Sequence, residues 1–139
     1  MDLKLNNFIL DPRLAADCFV LGKLDLSVLL LMNNQLVPWF ILVPQTDSKE
    51  LCELNQNQQT VLLNEINLIS NFVKSAYPQV SKLNVAAIGN IVSQMHIHIV
   101  GRNPTDYCWP NVVWGNQQKE AYPESEVAAI TEKIRGILV

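Results

Sequence analysis

Short apolar runs separated by turn residues fill the first third of the chain. Residues 27–32 and 39–43 have the length of strands and flank an Asn-rich turn, which predicts a hairpin. Residues 18–21 predict a further strand that ends at a glycine. Asp11 followed by a proline predicts a capped short helix over residues 12–16.

In the second third of the chain, apolar residues recur with the period of an α-helix. Spacings of three and four predict a long helix over Gln56–Ala76, capped by Asn55 and buried along one stripe. Residues 83–89 and 93–101 predict two more strands, and the same helical spacing over residues 124–138 predicts an amphipathic C-terminal helix.

Hairpins joined by one crossing helix predict an antiparallel α+β fold with helices on one sheet face. The length of 139 residues suits one core, so we expect a single domain over residues 1–139. Its core would span about residues 18–102, followed by a C-terminal loop and helix over residues 103–139.

Composition narrows the classes of function. Hydrophobic residues make up 49% of the chain and charged residues 17%, which is typical of a globular protein. The net charge is −3 and no basic stretch follows a nucleic-acid backbone, which argues against a duplex DNA or RNA binder. No apolar stretch reaches membrane-spanning length, and three widely spaced cysteines indicate reduced thiols and a cytoplasmic protein.

The two histidines of the chain lie in the alternating segment 94–100. On a strand, Gln94, His96 and His98 would share one face, and the apolar residues between them the other. A neutral imidazole is a competent nucleophile near pH 7, because its ordinary pKa is about 6.5. It can attack phosphorus if its far nitrogen is held protonated, if donors meet the phosphate oxygens and if some group protonates the leaving group. These three residues are the candidate catalytic residues.

The segment resembles the histidine triad family, whose motif is His-x-His-x-His followed by two apolar residues. Gln94 takes the first histidine position, which indicates a divergent, bacterial-type branch with Gln-x-His-x-His. The apolar run 40–44 ending in proline, and residues 83–85 followed by Gly89-Asn90, are similar to further family elements. The resemblance implies a five-stranded antiparallel sheet, with one long crossing helix and a C-terminal helix, and a homodimer.

The resemblance also implies a chemistry. His96 matches the nucleophile that attacks the α-phosphate of a nucleotide conjugate or dinucleoside polyphosphate, and His98 matches the residue that supports the phosphate. Cleavage of a phosphoanhydride or phosphoramidate bond would pass through a nucleotidyl-histidine and would require no metal or other cofactor. Candidate nucleotide contacts are Asn33, near the family's ribose-binding acidic residue, Asn84, Asn90 and Arg102. Turn formation explains the asparagines equally well, and a solvated strand end is the more common role of such an arginine and the one we favour.

Gln94 carries no proton charge at neutral pH, and Trp39 stands where many members have another histidine. The family resemblance implies a proton relay that passes through the first histidine position, and these departures would alter it. A nucleotide sensor with little turnover is therefore the alternative hypothesis. A small metalloprotein that uses His-x-His is a third hypothesis, although it needs further ligands from Asp47, Asp106 or Cys108. Trp39 would be core or pocket wall. Trp109 and Trp114 would wall a base, cross a dimer interface or pack against the core.

Overall fold

A five-stranded antiparallel sheet forms the centre of the fold in the computed structural model, which describes residues 4–5 and 7–139. In chain order the elements are β1 (Lys4–Leu5), β2 (Phe8–Ile9), α1 (Pro12–Asp17), β3 (Cys18–Lys23), β4 (Ser27–Met32), β5 (Trp39–Pro44), α2 (Gln56–Ala76), β6 (Lys82–Ala87), β7 (Ile97–Arg102) and α3 (Glu124–Ile134). Two short 3-10 turns cover Leu51–Glu53 and Arg135–Ile137. The predicted α+β fold with a long helix and a C-terminal helix is confirmed.

The strand order is β3-β4-β5-β7-β6, with β1 and β2 forming a separate pair. Every neighbouring pair in the large sheet is antiparallel. The predicted hairpin forms between β4 and β5, and β7 inserts between β5 and β6. Because His98 lies on β7 opposite both Ile41 and Ala86, the sheet holds its backbone on two sides.

Apolar residues on both faces of the sheet are buried, which explains the continuous apolar runs of β4 and β5. One face packs against α2 and α3, with Phe40 and Ile99 among the fully buried side chains. The opposite face carries Leu30 and Ile41 and is covered by α1 and by the segment around Val113. The helices therefore cover both faces, and not one face as the pattern predicted.

The long helix has the predicted bounds, since the Asn55 side chain accepts a hydrogen bond from the Gln58 backbone amide and the Gln58 side chain accepts one from the Asn55 backbone amide. The predicted histidine strand is too long at its start, because β7 begins at Ile97 rather than at residue 93. Residues 88–96 instead form a loop that turns at Gly89, where φ is 67°. None of the described helices is both long enough and apolar enough to cross a membrane.

Candidate active site

His98 projects from β7 into the layer between the sheet and α1, and only 6% of its surface is exposed. The indole nitrogen of Trp39 donates a hydrogen bond to His98 Nδ1 across 3.1 Å. Since an indole N–H only donates, His98 Nδ1 must be unprotonated and the proton of the neutral ring must lie on Nε2. Trp39 therefore selects the tautomer of His98.

His96 belongs to the loop just before β7 and is 7% exposed. Its Nδ1 lies 2.7 Å from the backbone oxygen of Gln94. A carbonyl oxygen only accepts hydrogen bonds, so Nδ1 of His96 carries the ring proton and donates a hydrogen bond to that oxygen. The lone pair of the neutral ring is consequently on Nε2, as nucleophilic attack requires.

The two imidazoles lie close together and play opposite hydrogen-bonding roles. Their ring centroids are 4.9 Å apart and their planes meet at 65°. Burial, followed by repulsion from the neighbouring His96, lowers the pKa of His98 to about 4. His98 is therefore uncharged at neutral pH and offers an N–H, while His96 offers a lone pair.

Both histidines line a cavity of about 390 Å³, a size within the range of small-molecule sites. Its walls come from α1, from Met32 and Ile41 on the sheet, from residues 88–92 and from residues 113–116. Trp114 stands edge-on to His98 at a centroid distance of 5.3 Å. A second cleft of about 350 Å³, which contains Lys49 and Ser93, shares His96, Ile88 and Gly89 with the first.

Asn90 lines the histidine cavity, as a nucleotide contact would. The side-chain oxygen of Asn33 instead accepts a hydrogen bond from the Tyr122 backbone amide at 2.9 Å and holds the C-terminal segment against the β4–β5 turn. Gln94 is also turned away from the cavity, because its carboxamide bonds to the backbone of Ile9 and Asp11. The structure therefore brings together three of the predicted residues, His96, His98 and Asn90.

Arg102 and Asn84 bond to each other at 2.9 Å and do not line the cavity. Arg102 is only 1% exposed, so the solvated strand end considered above is wrong. Its guanidinium donates two hydrogen bonds to Asp106 and one to the Asn111 backbone oxygen. The bond to Asp106 raises the pKa of Arg102 above its usual range. The N–H groups of the guanidinium therefore hold the segment that follows β7 in place.

The sequence patterns missed the part of the cavity wall that α1 supplies. Arg13, Leu14 and Asp17 line the cavity because α1 packs on the face of the sheet that carries His98. A capped helix is visible in the sequence, but its position against a strand eighty residues away is not. Among residues 4–5 and 7–139, no three histidine, cysteine or acidic side chains come together in a way that could hold a metal ion.

The family model of the HIT domain matches residues 13–105, a stretch that contains both histidines and the whole central sheet. The chain belongs to the histidine triad (HIT) family. Within this HIT protein, the matched region begins at the second residue of α1, continues three residues past β7 and stops before α3.

Solved structures of histidine triad proteins superimpose closely on this HIT protein. One from Sinorhizobium meliloti is 41% identical, with a TM-score of 0.89, and the match covers 94% of this chain and 97% of that one. One from Marinobacter aquaeolei is 40% identical, also with a TM-score of 0.89, over 94% and 96% of the two chains. A third, from Bradyrhizobium japonicum, is 36% identical at a TM-score of 0.89, over 95% and 98%. No curated protein matched the sequence.

Proposed function

We propose that this HIT protein binds a nucleotide or nucleoside phosphate conjugate and cleaves it at the α-phosphate through a nucleotidyl-His96 intermediate. The bond broken is a phosphoanhydride or a phosphoramidate. The observation that carries the proposal is the pair of opposed tautomers at one cavity, with a lone pair on His96 Nε2 and an N–H on His98 Nε2. Membership of the HIT family supports the nucleotide as ligand.

In the first step, His96 Nε2 forms a bond to phosphorus as the bond to the leaving group breaks, and the leaving group departs with that electron pair. An amine leaving group takes the proton it needs from solvent. The ring becomes positively charged, and the Gln94 carbonyl that accepts from Nδ1 stabilises that charge. The N–H of His98 donates to a non-bridging phosphate oxygen. In the second step, water attacks phosphorus, the P–N bond breaks, and the water proton passes to solvent.

The cavity walls suit a nucleoside. The ring of Trp114 and the side chains of Met32 and Val113 offer an apolar surface, and Asn90 offers hydrogen bonds. We propose Asn90 as a direct contact with the nucleotide. Asn33, Asn84 and Arg102 act on the site through the segments that they hold, because their side chains are bonded to protein groups.

Replacement of His96 tests the mechanism directly. His96→Ala should lower turnover of nucleoside phosphoramidates or dinucleoside polyphosphates by at least 10³-fold, and nucleotide affinity measured by calorimetry should change much less. Acid quenching of the native protein with substrate should trap a nucleotide on His96, detected by mass spectrometry. His98→Ala is the matched control, since it retains the nucleophile and should still form the intermediate, more slowly. Unchanged turnover in His96→Ala would refute the proposal.

A nucleotide sensor is the second candidate function. It is favoured by the fact that both the donor and the acceptor of the Gln94 carboxamide are bonded to backbone, so no proton passes through that side chain. A sensor would bind nucleotides in calorimetry while single-turnover experiments trapped no covalent species. Capture of nucleotidyl-His96 at a rate that matches turnover would decide for the enzyme.

We also propose that the protein is a homodimer joined through β6. This strand stands at one end of the sheet order, and Val85 on it is 47% exposed. An apolar edge strand is a surface on which a second copy can continue the sheet. Sedimentation should give twice the mass of one chain, and Val85→Lys should give the monomer. A native protein that sediments as a monomer at high concentration would refute the dimer.

A further inference from the structure

Gln94 makes three hydrogen bonds that link His96 to the segment that leads into α1. Its side-chain oxygen accepts from the Asp11 backbone amide at 2.8 Å, and its side-chain nitrogen donates to the Ile9 backbone oxygen at 2.9 Å. Its backbone oxygen accepts the hydrogen bond from His96 Nδ1 at 2.7 Å. One residue therefore bonds both the nucleophilic ring and the segment that leads into α1.

The segment held by the carboxamide sets the start of a cavity wall. Asp11 caps α1, since its side chain accepts a hydrogen bond from the Arg13 amide. The helix then carries Arg13, Leu14 and Asp17 into the lining of the histidine cavity. Because the carboxamide holds Asp11 at its backbone, it determines where this wall begins relative to His96.

We infer that Gln94 is a positioning residue, which fixes the spacing between the α1 wall and the His96 ring and so places the bound nucleoside for attack. We call the two hydrogen bonds from the Gln94 carboxamide to the backbone of Ile9 and Asp11 the clamp. In the motif position where the family has a histidine, this chain has the clamp instead of a proton relay. The effect on nucleotides rests on the proposed function, whereas the clamp itself does not.

A histidine at position 94 would not reproduce the clamp. A carboxamide presents a donor and an acceptor side by side, which matches the carbonyl of Ile9 and the amide of Asp11. The two nitrogens of an imidazole point in diverging directions, so one of these backbone groups would lose its partner. Leu14 and Ala15, the buried residues of α1, still pack against the sheet in such a variant, so we expect it to fold.

The test is Gln94→His, which restores the three-histidine motif, with the exposed Gln118→His as control. Amide exchange followed by NMR should show the Asp11 amide exchanging at least tenfold faster in Gln94→His, while the Ile99 amide in β7 is unchanged. The dissociation constants of a panel of nucleoside 5′-monophosphates, and KM for turnover, should rise about tenfold, with the pH profile of kcat unaltered. Gln118→His should change none of these.

A relay role predicts the opposite result, in which Gln94→His raises kcat, adds an ionisation to its pH profile and leaves KM unchanged. That outcome, or unchanged exchange of the Asp11 amide, would overturn the inference. If the native protein binds no nucleotide and turns over no substrate, the proposed function fails, and the exchange measurement still decides whether Gln94 clamps α1.

Discussion

The hydrogen bond from Trp39 to His98 has a measurable effect on stability and on its pH dependence. Trp39→Phe removes the indole N–H and leaves His98 Nδ1 buried without that donor. Loss of a partner for a buried polar atom costs about 1–3 kcal/mol. Trp114→Phe is a matched control in the same cavity, because its indole N–H has no hydrogen-bond partner among the described residues. We expect Trp39→Phe to be the less stable variant at pH 7.5.

The pH dependence follows from the lowered pKa of His98. The unfolded chain takes up this proton near pH 6.5 and the folded chain only near pH 4, so the unfolded state binds more protons between these values. Stability is therefore complete above about pH 6.5 and falls as the pH drops towards 4, by on the order of 3 kcal/mol in all. In Trp39→Phe no N–H faces Nδ1, so the pKa of His98 should rise and this loss should shrink.

Urea denaturation of the native protein and both variants between pH 4.5 and 8 measures these differences, and ¹⁵N NMR of the imidazoles reports the tautomer of His98. We expect the gap between native protein and Trp39→Phe to be largest above pH 7 and to narrow in acid, with Trp114→Phe running parallel to the native curve. Identical pH dependence in the two variants, together with an unshifted His98 Nδ1 resonance, would refute the assignment of the tautomer to Trp39.

Two further predictions concern the frame around the site, each measured by urea denaturation. Arg102→Met should lower the free energy of unfolding by about 3–5 kcal/mol, because it leaves Asp106 charged and buried. Arg135→Met removes one member of an ion pair whose side chains are 69% exposed, so it should cost less than about 1 kcal/mol. Equal costs would contradict the structural role of the buried pair. Gly101→Ala should cost about 1–3 kcal/mol, since the added carbon would lie 2.7 and 2.9 Å from two valine side chains, and Gly136→Ala, with open space around it, should be nearly neutral. A neutral Gly101→Ala would show that the valines move aside easily.

Local signals account for the elements that the residue pattern predicted well. The bounds of α2 follow from the reciprocal cap at Asn55 and from the apolar stripe, both of which lie within the helix itself. β4 has the predicted bounds, and its end is marked by the turn of asparagines and glutamine that follows directly. The sequence also predicts that the two histidine rings lie close together, because side chains two residues apart on a strand share a face. The rings are indeed neighbours, although His96 lies in the loop before β7 and not on the strand.

Contacts between distant residues determined the rest, and no local pattern reports them. The alternation before residue 97 predicted a strand, but the backbone there pairs with neither β5 nor β6, and Gln94 bonds to a segment 83 residues earlier. The sequence indicates a solvated strand end for Arg102, whereas in the fold its guanidinium is bonded to Asp106 and Asn84. A sequence shows which residues can donate or accept protons; which tautomer each histidine holds depends on the partner that the folded chain places beside it.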